Sequence, residues 1–238
     1  MSLTLRKLWA ALLIAGVLCA ATIWWQHTVP LHSLPPVYAA LGASDAVGVG
    51  TEHPAEEGWV PRVYAKLPPS ASLLNVGISG ATLRDVLTEE VPPALDAHPH
   101  WVSIWPGIND LRDGVPLPTF AAQLDELLAH WSVSPTAPTS SQPIVVVLNI
   151  PDLRPVPAFR SVAPTTLDAT VRAWNQTIAA AAGKHGARLV DLYSHGEDLL
   201  AHPGYLSGDG FHPSSAGYAR IADLVLNVLE SHAAPNVQ

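Results

Sequence analysis

The stretch "VYAALGASDAVGVG", residues 37–50, runs apolar for five residues and then breaks into small ones. A short apolar run closed by turn formers reads as a strand buried in a parallel sheet. Gly42, Gly48 and Gly50 supply what a turn needs. A turn has no use for the hydroxyl of Ser44, which stands where the buried strand stops. Its meaning depends on what the rest of the chain can place around it.

Outward from this stretch, strand-like runs alternate with helix-like ones. Residues 37–43, 72–76, 101–105, 144–149 and 188–192 read as strands, and helices are expected near 57–67, 82–95, 119–131 and 166–184. A last helix is the clearest, because Tyr218, Ile221, Ala222, Val225, Leu226 and Leu229 recur on one helical face. Ser214 or Ser215 stands where a cap belongs. Such alternation predicts one α/β domain over residues 37–232, with a five-stranded parallel sheet between two layers of helices. The stretch "SVSPTAPTSSQP", residues 132–143, is read as a loop inside that domain and not as a boundary.

The N-terminus is a different kind of sequence. Residues 8–25 carry no charge and follow Arg6 and Lys7. As a helix they would span ~27 Å, against the ~30 Å of a bilayer core. Residues 1–28 are therefore expected to be a membrane anchor, preceding the domain as one hydrophobic helix. A cleaved signal peptide is the competing reading, since Cys19-Ala20-Ala21 resembles a cleavage site. Residues 29–36, with Pro30, Pro35 and Pro36, read as a short stalk. On either reading the domain lies outside the cytoplasm, membrane-anchored or secreted. Cys19 is the only cysteine, so the domain itself has neither a disulfide nor a thiol nucleophile. Without Arg6 and Lys7 the chain holds ten basic residues against twenty acidic ones and no basic cluster, which argues against nucleic acid as a partner.

In open α/β sheets ligands bind beyond the carboxyl ends of the strands. Five segments fall there: Gly42-Ala43-Ser44-Asp45, then Gly77-Ile78-Ser79-Gly80, then Gly107-Ile108-Asn109-Asp110, then Asn149-Ile150-Pro151-Asp152, and last Ser207-Gly208-Asp209-Gly210-Phe211-His212. Together they offer the parts of an acyl-transfer site. A serine hydroxyl needs a base within ~3 Å to become a nucleophile. A histidine, ordinarily with a pKa of ~6.5, suits that task, and a carboxylate on its other ring nitrogen fixes the tautomer. Asp209 and His212, three residues apart, can supply both groups from one loop. The Ser44 N–H, the Gly80 N–H and the Asn109 amide are candidate donors to an oxyanion.

These residues carry a resemblance. From about Val37 to Leu229 the sequence is similar to the SGNH hydrolases, also called the GDSL esterase/lipase family. The resemblance implies a flavodoxin-like three-layer sandwich. It makes Ser44 the nucleophile, Gly80 and Asn109 oxyanion donors beside the Ser44 N–H, and Asp209 and His212 the D-x-x-H pair. It implies a serine esterase that needs no metal and no organic cofactor. The family's G-D-S is Gly42-Ala43-Ser44 here, so the acid is missing, and Asp45 follows the nucleophile instead. That acid is not among the family's catalytic groups, which leaves the packing of the loop as the open point. Asp45 either caps the next turn or disfavours anionic substrates.

Other readings have less support. No H-E-x-x-H, cysteine pair or phosphate-binding G-x-x-x-x-G-K-[ST] occurs. Gly77-Ile-Ser79-Gly80-Ala81 approaches the G-x-S-x-G elbow and fails at its last glycine, which makes Ser79 the second candidate nucleophile. His98 and His100 read as loop residues, and Trp59, Trp105 and Phe211 as packing residues that could line an acyl pocket. A tethered binding module that keeps the fold without turnover is the alternative function. Small-molecule, lipid and glycan esters all fit as substrates, and the oligomeric state is undetermined.

Overall fold

The computed structural model describes residues 35–132 and 142–230. The expected N-terminal helix and most of the stalk lie outside the described residues, as does most of the 132–143 loop. Among the described residues no helix is long and apolar enough to cross a membrane.

Five parallel strands form the sheet: β1 Val37–Gly42, β2 Ser72–Asn75, β3 Trp101–Trp105, β4 Ile144–Leu148 and β5 Arg188–Val190. Their order is β2-β1-β3-β4-β5, the flavodoxin-like order expected. Side chains alternate between the two faces. Ala39, Leu41, Val102, Ile104, Val145 and Val147 enter one core, while Tyr38, Ala40, Trp105, Val146 and Leu148 enter the other. Continuous apolarity in β1 and β4 thus reflects burial on both sides. One core receives Phe120, Leu124 and Leu167, Val171 and Trp174 from two long helices; the other receives Trp59, Val60 and Val63 with Tyr218, Ala222 and Val225.

The main helices are α1 Ser44–Val47, α2 Trp59–Tyr64, α3 Val91–Asp96, α4 Ile108–Arg112, α5 Leu117–Ala129, α6 Pro164–His185, α7 Gly196–Ala201 and α8 Ser215–Glu230. Helix α6 starts with proline at its first position and stops at Gly186, whose φ of 71° ends it in the left-handed region. Of the two serines before α8, Ser214 is the cap: its Oγ accepts the Gly217 N–H at 3.2 Å.

Two expected helices are broken. That over 57–67 splits into Pro54–Glu57 and α2. The one over 82–95 becomes a single turn, Leu83–Asp85, a π turn, Val86–Glu90, and then α3. Pro92 and Pro93 explain the second break. They cannot donate to the carbonyls four residues back, and their rings press on them. The preceding turn widens, and the Val91 N–H bonds to the Val86 carbonyl, five residues back.

Candidate active site

Strand β1 is flanked by β2 on one side and β3 on the other, so successive connections leave it in opposite directions. The crevice at that reversal is where such sheets bind ligands. Ser44 follows β1 as the first residue of α1, Gly80 lies in the segment after β2, and Asn109 lies in α4, just beyond β3. Each strand end therefore delivers one group to the same crest.

The loop before α8 brings the remaining two. Ser207 N–H donates to the His212 carbonyl at 2.9 Å, closing a tight turn around residues 208–211. Inside it Asp209 Oδ1 accepts the N–H groups of Phe211 at 2.8 Å and His212 at 2.9 Å, and the Ser207 hydroxyl at 2.8 Å. Asp209 Oδ2 lies 2.6 Å from His212 Nδ1. A carboxylate only accepts, so Nδ1 carries the proton and Nε2 is left as acceptor. Ser44 Oγ lies 2.8 Å from that Nε2 and donates to it. Burial pushes the Asp209 carboxyl upward, but the bonds from the His212 ring and the surrounding N–H and O–H groups outweigh it and hold the acid well below its ordinary range.

The loop of His212 is locked onto that of Ser44. The Tyr218 hydroxyl donates to the Val49 carbonyl at 2.8 Å, tying α8 to the segment after α1. Gly50 allows the approach: its φ is 104°, and a Cβ there would stand 2.5 Å from the Pro213 carbonyl and 2.9 Å from His212 Cβ.

Among the described residues, neither the Ser44 N–H nor the Gly80 N–H donates to another protein group. Gly80 has a φ of 86° and is exposed. Asn109 is buried, and its Nδ2 donates one hydrogen to the Ala81 carbonyl at 2.9 Å. That bond orients the amide and leaves the second hydrogen uncommitted. Next to it Asp110, also buried, accepts the Leu83 N–H at 3.1 Å, so α4 and the segment after Gly80 are held together.

Asp45 takes the first of its two expected roles. Its Oδ1 accepts the Ala46 N–H at 2.8 Å and the Ala43 N–H at 3.2 Å, pinning the turn that presents Ser44. Burial raises its pKa to about 6, opposed by those N–H groups and by the His212 charge. Sequence reasoning missed Glu90. It is fully buried, and its carboxylate accepts the Gly42 N–H at 2.8 Å and the Ile78 N–H at 3.2 Å. A signal existed: Glu90 falls four residues after Val86 and four before Ala94, on the apolar face of the expected helix. Ser79, the second candidate nucleophile, is exposed and bonds no histidine among the described residues. His100 is engaged elsewhere, with Nδ1 accepting the Val37 N–H at 3.4 Å.

A cavity of about 130 Å3 opens beside Ser44 and His212. Trp105, Ile108, Leu153, Leu206 and Phe211 give it an apolar wall, and His195, Asp198 and Arg220 also line it. Arg220 Nε donates to Asp198 at 2.7 Å, so that charge is paired. Trp105 and Phe211 thus both line the cavity beside Ser44, whereas Trp59 is wholly a core residue. No cluster of residues suited to a metal ion occurs among the described residues.

A hydroxyl, an imidazole and a carboxylate bonded in series on the crest of a doubly wound sheet form the arrangement of a serine hydrolase. The chain belongs to the GDSL-like lipase/acylhydrolase family, whose model matches residues 40–220, and is a hydrolase of ester bonds. Solved structures agree in fold. An α/β hydrolase from the metagenome of Lake Arreo, Spain, aligns at 24% identity over 82% of this chain and 95% of its own, with a TM-score of 0.63. TesA aligns at 21% over 82% and 98%, with a TM-score of 0.64. An acetylxylan esterase from Geobacillus stearothermophilus, solved as a catalytic mutant, aligns at 20% over 82% and 94%, with a TM-score of 0.64. No curated protein matches the sequence.

Proposed function

We propose that the chain is a serine esterase working through an acyl-Ser44 intermediate, with an acyl group of medium length as its preferred substrate part. The observation that carries the mechanism is the relay from Ser44 through His212 to Asp209, with contacts of 2.8 and 2.6 Å. As Ser44 Oγ attacks the ester carbonyl, Nε2 takes its proton, and Asp209 stabilises the imidazolium that forms. The oxyanion is met by the Ser44 and Gly80 N–H groups and the free hydrogen of Asn109. His212 then gives the proton to the leaving alkoxide, and the ester C–O bond breaks. Water enters, His212 takes its proton as the oxygen bonds to the acyl carbon, and the bond from that carbon to Ser44 Oγ breaks as His212 returns the proton to Oγ, releasing the acid. These steps need no metal or organic cofactor.

The cavity supports the acyl length. An apolar cavity of about 150 Å3 takes a six-carbon ring, and the space beside Ser44 is of similar size. An acetyl group, the substrate part named for the acetylxylan esterase, would leave most of it empty. The uncharged residues 8–25 behind Arg6 and Lys7 support an extracytoplasmic domain, membrane-anchored or secreted.

Turnover of p-nitrophenyl acetate, butyrate, hexanoate and dodecanoate by the full chain tests both parts. Ser44→Ala is expected to abolish turnover of every ester. In the wild type kcat/KM is expected to rise about fourfold per methylene from acetate to hexanoate. Equal rates on acetate and hexanoate would remove the medium-chain reading and leave the esterase. Activity that survives Ser44→Ala would move the nucleophile elsewhere. Absence of turnover on every ester would leave the fold as a binding module.

A further inference from the structure

We infer that Glu90 is a positioning residue for the oxyanion hole, holding the loop of Ser44 and the loop of Gly80 at a fixed separation. The inference rests on the acyl-serine reading above. Its basis is a register. Glu90 Oε2 accepts from Gly42 N–H at 2.8 Å and Oε1 from Ile78 N–H at 3.2 Å. Each of these N–H groups lies two residues before an N–H proposed to meet the oxyanion, at Ser44 and at Gly80. One rigid carboxylate thus sets the spacing of both donors. The loops also touch directly, with Ile78 N–H donating to the Gly42 carbonyl at 3.1 Å.

A buried carboxylate is an expensive way to fill a core position. Glu90 is completely buried, and no Lys, Arg or His among the described residues forms an ion pair with it. A leucine at this place would pack with Val86 and Val91, but the Gly42 N–H would be left without a partner. Glu90 and Asp45 divide the work: Gly42 N–H goes to Glu90, Ala43 N–H goes to Asp45, and Ser44 N–H is the first one free.

The site also makes the clamp sensitive to pH. Burial, opposed by the two N–H bonds and reinforced by the negative charges of Asp45 and Asp85, raises Glu90 to about 8. Asp45 faces it from α1, Asp85 from the turn before its own, and the His212 charge acts on Asp45 in turn. Two N–H donors, one on each oxygen, match the ionised form. A protonated carboxyl has to find an acceptor for its own O–H.

The test compares the full-length wild type with Glu90→Gln and Glu90→Leu on p-nitrophenyl butyrate from pH 6 to 9.5. Active sites are counted by the p-nitrophenol burst with diethyl p-nitrophenyl phosphate, so that unfolded protein does not enter kcat. Per active site at pH 9, where Glu90 is ionised, kcat and kcat/KM are expected to fall together, about tenfold for Gln and about a hundredfold for Leu, with KM within about twofold. The wild type is expected to gain activity between pH 7 and 9, a rise absent from Glu90→Gln. Loss of titratable sites with unchanged kcat per site would reduce Glu90 to a stability role and overturn the inference. So would a kcat per site in both Glu90→Gln and Glu90→Leu equal to that of the wild type at pH 9. A wild type inactive on every ester would take the acyl-serine reading down as well, a failure visible before any Glu90 variant is measured.

Discussion

Asp209 and Glu90 both accept backbone N–H groups at the crest of the sheet, yet their acidities move in opposite directions. Asp209 is held well below the ordinary carboxylate range, and Glu90 is pushed up to about 8. Counting donors does not fully explain this. Asp209 has four, two from backbone and two from side chains, and its side chain is 44% exposed. Glu90 has two, both from backbone, is 0% exposed, and faces two other carboxylates. Hydrogen bonds favour the charged form in both; burial and neighbouring negative charge reverse the balance in one. The exposed carboxylate is the one suited to support an imidazolium. The buried one is suited to hold backbone in place.

Removing the carboxylate charge from Asp209 should produce the largest effect. In Asp209→Asn the amide can present its N–H to Nδ1, forcing the proton to Nε2, where it cannot accept from Ser44. A drop in kcat of about 10⁴ is expected, measured on p-nitrophenyl butyrate with the folded fraction checked by circular dichroism. The same isosteric change at Glu90 is expected to cost about tenfold at pH 9, where the wild-type group is ionised, because it disturbs donors and leaves the proton relay intact. If the two variants lost activity equally, the distinction between relay and clamp would fail.

Stability separates the pair with a smaller effect and a clear sign. Asp209 has a folded pKa below its unfolded value of ~3.9, so its contribution is complete above that value and lost as pH falls through the folded one. Glu90 is the reverse. Its folded pKa of about 8 exceeds the ordinary carboxylate value, so the folded state binds the extra proton. Stability attributable to Glu90 is full below pH ~4 and declines as pH rises toward 8, by at most about 1.4 kcal/mol per pH unit. Urea midpoints measured from pH 5 to 9 are expected to fall for the wild type and to fall less steeply for Glu90→Gln. Parallel slopes would contradict the assigned titration.

How far the sequence reveals these groups follows from where their information lies. Ser44, Gly80 and Asn109 each follow a strand closely, and a parallel sheet gathers such segments at one edge whatever the helices do. Asp209 and His212 lie in one turn, so their contact needs no tertiary knowledge. Glu90 has one local mark, its place on the apolar face four residues from Val86 and Ala94, and nothing local says what it bonds. Its partners, Gly42 and Ile78, are 48 and 12 residues away. The π turn that precedes α3 was hidden, since Pro92 and Pro93 announce a disturbed helix without saying which way it relaxes. Apolar runs gave all five strands but overran most of their ends. Asn149, for example, leaves the strand to accept the Tyr193 N–H and donate to Asp191.

Asp45 stands between the two extremes, and its replacement is expected to have the smallest effect. It is buried like Glu90 but close enough to His212 for the two charges to interact, and its pKa is about 6. Asp45→Asn keeps the acceptor oxygen toward the Ala46 N–H while removing the charge. Below pH 5 the wild-type side chain is itself neutral, so the two proteins should turn over p-nitrophenyl butyrate at the same rate. Above pH 7 the wild type carries a charge that favours the imidazolium of the transition state, and the variant should be slower by roughly two- to fivefold. A ratio that grows with pH through 6 would identify Asp45 as an electrostatic partner of His212. A ratio constant across the range would confine Asp45 to holding the turn, and the charge following the nucleophile would then have no part in the chemistry.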